Sequence, residues 1–372
     1  MTIPENQHSQ ALPPGQQLGP YRVIRVLGSG GFGITYLAED LLLRTQVALK
    51  EYFPLDAACR AIDGQVVALP GSEDLFAAGR DQFLAEARLL ANLRSQYVVR
   101  LRHCFESHGT ACSAMEYLQG QTLEAHLQRQ GGRIPYHHVL LLAKPLLEAL
   151  EELHAHGCIH RDIKPENIYL TRQLQPILLD FGSARLASGA ASGLVCASPG
   201  FSPPEQLLAN GIQGPWSDIY ALAATLYYLL TGVLPPAADA RLAGTPLLPP
   251  SELVRLPAEL EKWLLEGLDL KWSRRPENVA AWHRALQLKE QARKQRRQEE
   301  VTFIKLVILP KLSDQLLTPA EETEIYQAAA LMKMDEDRVR VLIERTLEMT
   351  KSQRGDDVTE RFVHAWLEQL GV

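Results

Sequence analysis

His160-Arg161-Asp162-Ile163-Lys164-Pro165-Glu166-Asn167, with Asp180-Phe181-Gly182 beginning eighteen residues after Asp162, is the part of this 372-residue sequence on which its reading turns. Each polar side chain here has a place in moving a phosphoryl group. A carboxylate must orient an attacking hydroxyl and accept its proton, and Asp162 is that carboxylate. A cation beside it, Lys164, steadies the group in transit. Magnesium takes hard oxygen ligands, which Asn167 and Asp180 supply while phosphate oxygens complete its shell. Both blocks together, at this spacing, lie far beyond chance.

Toward the N-terminus, Gly28-Ser29-Gly30-Gly31-Phe32-Gly33 fits G-x-G-x-x-G. Alone the pattern is weak: a plain hairpin and a dinucleotide fingerprint share it. Ile34-Thr35-Tyr36-Leu37 follows and favours a strand over a helix, as in a glycine hairpin that closes over phosphates with its backbone N–H groups. Next comes Val47-Ala48-Leu49-Lys50. A lysine ending an apolar strand needs an anion if it is buried. Two are needed here, the nucleotide phosphates and a carboxylate that holds the ammonium in place, and Glu86, among apolar residues of Phe83-Leu-Ala-Glu86-Ala-Arg-Leu-Leu90, is the candidate carboxylate. Taken singly, a snorkelling lysine and a solvated glutamate are the readings these residues favour.

The order of patterns sets the fold class as α+β. Tyr21 to Leu27 alternates as a strand, Thr35–Ala38 and Val47–Lys50 follow as strands, and Asp74 to Leu93 has helical spacing. Val98 to Tyr117 is strand-like with a break at Ser107-His-Gly109. After Gln121 the chain turns helical, over Val139–His154, Ile219–Leu230, Glu252–Leu270 and Glu277–Leu288. A bilobal molecule follows: a small lobe with an antiparallel sheet and one helix, then a larger helical lobe. The expected divisions are a flexible leader over 1–20 and a catalytic domain over 21–287, with lobes at about 21–117 and 121–287. A charged linker or helix over 288–300 and an all-α segment over 301–372 complete the chain. In the last of these, Thr318-Pro-Ala-Glu321 has the form of a capping box, Asp335-Glu-Asp337 that of a helix cap, and Leu331–Met349 and Val358–Leu370 have helical spacing.

With these blocks in order, residues 21 to about 287 resemble a eukaryotic-like (Hanks-type) bacterial Ser/Thr protein kinase, over roughly seven tenths of the chain. The resemblance implies ATP and Mg²⁺, with Mn²⁺ as a substitute, and protein substrates bearing Ser/Thr hydroxyls. It makes Met115-Glu116-Tyr117-Leu118 the gatekeeper and hinge, whose backbone binds adenine, and Ala48 and Tyr169 pocket walls. Glu205 of Ser202-Pro-Pro-Glu-Gln206 would pair with Arg275, and Asp218 would brace the catalytic loop. Leu90, Leu101, His160 and Phe181 would stack as a spine, and Ser198 would stand beside the catalytic aspartate. Thr35 replaces an expected valine and Tyr169 a small aliphatic residue, both at the adenine site. Pro203 replaces an alanine, and Ala223 a glycine. None of these positions touches a proton, a phosphate or the metal.

Arg161 is the kind of arginine that receives a phosphorylated loop residue in this family. Ser188 and Ser192 are the candidate sites, against an unphosphorylated Ala- and Gly-rich loop. Between Lys50 and Glu86 the chain is longer than such a domain needs, and Asp63-Gly64 marks a turn with a strand after it. Hydrophobic residues at 46% support a sizeable core, and a net charge of −6 gives no push toward nucleic acid. Five cysteines without a Cys-x-x-Cys pair fit a reducing compartment. The leader lacks the features of a signal peptide, and the apolar run Ile219 to Leu234 is too short and too polar for a bilayer span. The expected location is therefore the cytoplasm. Met332, Met334 and Met349 read as core, and the C-terminal segment as a surface that binds a partner or self-associates. Two other readings remain: a scaffold that binds nucleotide without catalysis, and a small-molecule phosphotransferase on a related fold. The intact Lys50, Asp162, Asn167 and Asp180 weigh against the first, and the His160 to Lys164 and Glu205 blocks against the second.

Overall fold

A computed structural model of the chain describes residues 10–31, 33–182, 185–186, 197–208, 210–312 and 317–352. They divide into two compact units, one up to His283 and one from Arg284. The first unit opens with β1 (Gln17–Leu18), β2 (Tyr21–Gly30), β3 (Gly33–Asp40) and β4 (Gln46–Tyr52). A hairpin of β5 (Ala58–Arg60) and β6 (Val66–Ala68) follows, then helix α1 (Glu73–Asn92), β7 (Leu101–Ser107) and β8 (Thr110–Glu116). The six longer-range strands form one antiparallel sheet in the order β1-β2-β3-β4-β8-β7. Alternation produces this lobe: Tyr21 and Val23 are buried while Arg22 is exposed, so one face carries the core. The β7–β8 turn falls at His108-Gly109, both with positive φ, as a tight two-residue hairpin requires. Helix α1 begins with Glu73 and Asp74 at its positive end and buries Phe76, Phe83, Ala87 and Leu90.

The leader differs from its expectation in its second half. Leu12 and Leu18 are buried in the sheet's core, β1 pairs with β2, and the Leu12 N–H donates to Tyr36 Oη at 3.1 Å. Two buried leucines hold this stretch more strongly than its Pro- and Gln-rich composition indicates. The turn at Asp63-Gly64 is where the sequence places it, with Gly64 at φ 86°.

The larger lobe contains β9 (Gly120–Thr122), α2 (Leu123–Arg129), α3 (Tyr136–Ala155), β10 (Cys158–Ile159), β11 (Ile168–Thr171), β12 (Pro176–Leu178) and β13 (Arg185–Leu186). Then come α4 (Pro215–Thr231), α5 (Ala238–Leu242), α6 (Ala258–Gly267) and α7 (Val279–Phe303). Helix α4 is apolar nearly all round because it is buried nearly all round, and it stops at Gly232 in the left-handed conformation. Among the described residues no helix is long and apolar enough to cross a membrane. The helix expected over Glu252–Leu270 is shorter: Pro257 caps α6, and Pro250–Glu252 is a separate 3₁₀ turn. The helix expected to end at Leu288 instead runs on to Phe303 through the charged stretch. Trp263 and Trp282 stack at 4.2 Å, and each indole N–H donates to the other's carbonyl.

The second unit continues α7 and adds α8 (Pro319–Leu331) and α9 (Glu336–Ser352) around Phe303, Ile304, Ile308, Ile325, Val339 and Leu342. Thr318 and Glu321 form the capping box, and Asp335 caps α9 through the Arg338 N–H at 3.0 Å. A break at Met332–Asp335, with Lys333 at φ 55°, divides the stretch Leu331–Met349. Met332 is exposed rather than core, since it stands in that break, whereas Met334 packs on the cluster. Met349's side chain and Val358–Leu370 lie outside the described residues.

Candidate active site

The glycine hairpin joins β2 to β3, with Gly28 opposite Thr35, Ser29 opposite Ile34 and Gly30 opposite Gly33. Its glycines are of two kinds. A Cβ on Gly33 would lie 2.3 Å from the Glu51 carbonyl oxygen, so strand packing alone demands glycine there. A Cβ on Gly28, Gly30 or Gly31 would meet no protein atom within 4 Å, and none of the three has positive φ. Neither the backbone nor the protein's packing requires those glycines, and the room they leave suits a phosphate chain. Ser29 Oγ, buried in the same hairpin, has no hydrogen-bond partner. Phe32 lies outside the described residues.

Below the hairpin, β4 presents Lys50. Its Nζ lies 3.3 Å from Glu86 Oε1 on α1 and 2.9 Å from Asp180 Oδ1. Burial pulls the ammonium's pKa down, but Glu86 and then Asp180 outweigh it, and Lys50 stays charged well above its ordinary range. Asp180 is held below the usual carboxylate range by Lys50. Burial pushes Glu86 upward despite the same lysine. Gln82, one turn before Glu86, donates from Nε2 to the Gly182 carbonyl at 3.0 Å, tying α1 to the segment that carries Asp180.

The catalytic-loop residues converge. Ser198 Oγ donates to Asp162 Oδ1 at 2.8 Å, and Lys164 Nζ lies 2.9 Å from both Asp162 Oδ2 and Ser198 Oγ. Asn167 Nδ2 donates to the Asp162 carbonyl and to Oδ2, at 2.9 and 2.8 Å. That use of its nitrogen leaves the Asn167 side-chain oxygen for a hard cation. The half-exposed Asp180 carboxylate offers oxygens of the same hard kind, so either residue could serve as a ligand to magnesium. Among the described residues no cluster of three or more His, Cys, Asp or Glu side chains could hold a metal without such help.

The loop is held under strain. Arg161 and Asp180 have φ of 72° and 55°, uncommon for residues with a Cβ. Asp218, fully buried at the start of α4, accepts from the His160 and Arg161 N–H groups at 2.8 Å each. His154 Nε2 lies 2.8 Å from the same carboxylate. Burial would raise Asp218's pKa, but the bond to His154 and the nearby imidazoles bring it below the ordinary range. Gln206 Nε2 donates to the Arg161 carbonyl at 2.7 Å. Neither His154 nor Gln206 carries a sequence signal of its own. His160 and Phe181 meet edge-on at 4.7 Å, and both are fully buried. Leu90 is buried and Leu101 half-buried. Glu205 and Arg275 form a buried fork, 2.7 and 3.1 Å, with Ser217 Oγ donating to Glu205 at 2.8 Å.

At the hinge, Met115 pairs with Ala48 and Glu116 with Val47, and the Glu116 N–H donates to the Arg100 carbonyl at 2.9 Å. Tyr169 Oη donates to the Leu118 carbonyl at 3.3 Å. Ser188 and Ser192 lie outside the described residues.

Residues 21–244 match the family model described as protein kinase domain. The chain is 34% identical over 228 residues to serine/threonine-protein kinase PknA of Nostoc sp., covering 58% of this chain and 37% of that protein. It is 36% identical over 228 residues to serine/threonine-protein kinase pkn2 of Myxococcus xanthus, covering 58% of this chain and 25% of the other. The chain thus spans well under half the length of these relatives. A solved structure titled PpkA-294 apo form aligns with a TM-score of 0.66 at 33% identity, over 75% of this chain and all of that one.

Proposed function

From a chain that belongs to the protein kinase family, we propose an ATP-dependent protein-serine/threonine kinase of the bacterial kind, with residues 21–287 as its catalytic domain. The observation that carries this reading is the triangle of Asp162, Lys164 and Ser198. A serine hydroxyl already donates to the Asp162 carboxylate at 2.8 Å, beside an ammonium 2.9 Å from both. A substrate hydroxyl makes the same bond when it takes Ser198's place. Asp162 then orients that hydroxyl and accepts its proton, and Lys164 stands by the charge in transit. Lys50, fixed by Glu86, holds the phosphates, and the backbone of Gly28 to Gly33 covers them. The hinge from Met115 to Leu118 takes the base, with Thr35, Ala48 and Tyr169 around it. Asn167 and Asp180 would hold Mg²⁺, or Mn²⁺ in its place. When bound, the cation neutralises charge on the phosphates.

The substrates are protein serines and threonines, with autophosphorylation at Ser188 or Ser192 received by Arg161. The setting is the cytoplasm. Residues 301–372 serve a partner or self-association. The test is ³²P transfer from Mg-ATP to the protein itself and to a generic basic protein, beside Asp162→Asn. Label on serine or threonine that vanishes in the variant supports the reading. ATP binding without transfer favours a nucleotide-binding scaffold, and transfer only to small alcohols a small-molecule phosphotransferase.

A further inference from the structure

Tyr169 is the one departure from the family pattern that reaches the hinge with a polar atom. The hinge is fixed at both ends by backbone. On the small-lobe side, Glu116 lies in the β4–β8 ladder and bonds Arg100. On the large-lobe side, β9 pairs with β11, with Thr122 opposite Tyr169 and Gly120 opposite Thr171. A Cβ on Gly120 would lie 1.9 Å from the Leu170 carbonyl oxygen, so the two strands meet at a distance only glycine permits. Arg172 N–H adds a bond to the Gln119 carbonyl at 3.0 Å. Between these anchors stand Tyr117 and Leu118. There the phenol of Tyr169, rising from β11, donates to the Leu118 carbonyl at 3.3 Å. Burial, with Tyr117 nearby, raises the phenol's pKa, so it remains a donor throughout the physiological range.

An aliphatic side chain at this position gives a base an apolar floor and nothing more. A phenol adds a bond that fixes the direction of a hinge carbonyl and restricts the adjoining peptides, whose N–H and C=O groups form the edge presented to the cleft. We propose that Tyr169 is a positioning residue for nucleobase recognition: its hydroxyl presets the hinge at Leu118, so that purine nucleotide binds without first ordering that segment. The proposal rests on the reading that this cleft binds ATP. It assigns the effect of Tyr169 to the base and not to the phosphates.

The experiment compares the full chain with Tyr169→Phe, which keeps the ring, and with Tyr169→Leu, which removes it. Dissociation constants are measured for Mg-ATP and for inorganic tripolyphosphate with Mg²⁺, which has phosphates and no base. Thermal melting checks folding. The expected result for Tyr169→Phe is weaker ATP binding by roughly 2- to 10-fold, the worth of one hydrogen bond. Tripolyphosphate binding stays constant, and KM moves while kcat does not. Tyr169→Leu weakens ATP further. Equal ATP affinity in wild type and Tyr169→Phe overturns the proposal. So does a parallel loss for tripolyphosphate, which would mark a general structural effect. A wild-type chain that binds tripolyphosphate and no ATP overturns the nucleotide reading itself, a distinct outcome.

Discussion

Replacing Arg60 with methionine tests the small lobe at a buried ion pair. Glu51, next to Lys50 on β4, is completely buried. Its carboxylate is met by Arg60 Nη1 and Nη2 at 3.0 and 2.7 Å, and by Tyr36 Oη at 2.9 Å. Arg60 comes from the β5 strand of the hairpin inserted between Lys50 and Glu86, and it also stacks 5.0 Å over Phe53 and bonds Gln10. The insertion therefore supplies the counter-charge for a carboxylate buried next to Lys50. Arg60→Met removes the charge and keeps most of the apolar stem. It leaves Glu51 with one neutral donor in a site closed to water. Breaking a buried pair from one side costs about 3–5 kcal/mol. Set against a typical domain stability of about 5–15 kcal/mol, that is a large share. At about 1.4 kcal/mol per tenfold, it opens the lobe roughly 10²- to 4 × 10³-fold more often.

The assay is native-state hydrogen exchange at the amides of β3 and β4, which reports this lobe without assuming that the whole chain unfolds in one step. Glu51→Gln/Arg60→Met supplies the control. The amide still accepts from Tyr36 but carries no charge, so most of the protection should return. The double variant and the two single variants complete a mutant cycle. A loss below about 1 kcal/mol in Arg60→Met would refute the argument that this pair is electrostatically closed. A double variant as open as the single one would refute it too, and would assign the effect to lost packing.

The two classes of glycine should separate. Gly30→Ala is expected to melt like wild type yet bind ATP more weakly, while Gly33→Ala, forced against the Glu51 carbonyl, lowers the melting temperature. Calorimetry and nucleotide titration on both variants decide this. Acid titration of activity should report Glu86 before Asp180. Burial raises the Glu86 pKa and Lys50 lowers that of Asp180, so on falling pH Glu86 takes its proton first, above the ordinary carboxylate range. A carboxyl raised in the folded state binds its proton more tightly there than when unfolded. Acidification through that value therefore costs the ion pair with Lys50 but not the fold. Glu86→Gln should lower the rate at neutral pH and move the acid limb to lower pH, and an unmoved limb would count against this order. Arg275→Met, which strips the buried Glu205 of its fork, is expected to destabilise the larger lobe by about 3–5 kcal/mol, read by urea unfolding followed through the stacked Trp263 and Trp282.

The sequence by itself determined the family. His160 to Asn167 and Asp180 to Gly182 are short stretches whose residue types have few alternative uses, so their spacing points to the family that the match over residues 21–244 shows. The strands of the small lobe and the principal helices were legible for a similar reason, since alternation and helical spacing are local signals. What the tertiary structure decided is long-range. Nothing near Glu86 in the sequence names Gln82 as its companion, and only the return of Gly182 against α1 gives that amide its work. The packing of Leu12 and Leu18 under the sheet overrides a composition that predicts a loose leader. The insertion had a legible turn but no legible purpose, because the partner of Arg60 is a glutamate on another strand. Tyr169 stood out in sequence as a departure, yet its bond to Leu118 depends on how closely β11 approaches the hinge. A residue type carries its chemistry wherever it stands, but a buried polar atom finds its partner only when distant segments close around it.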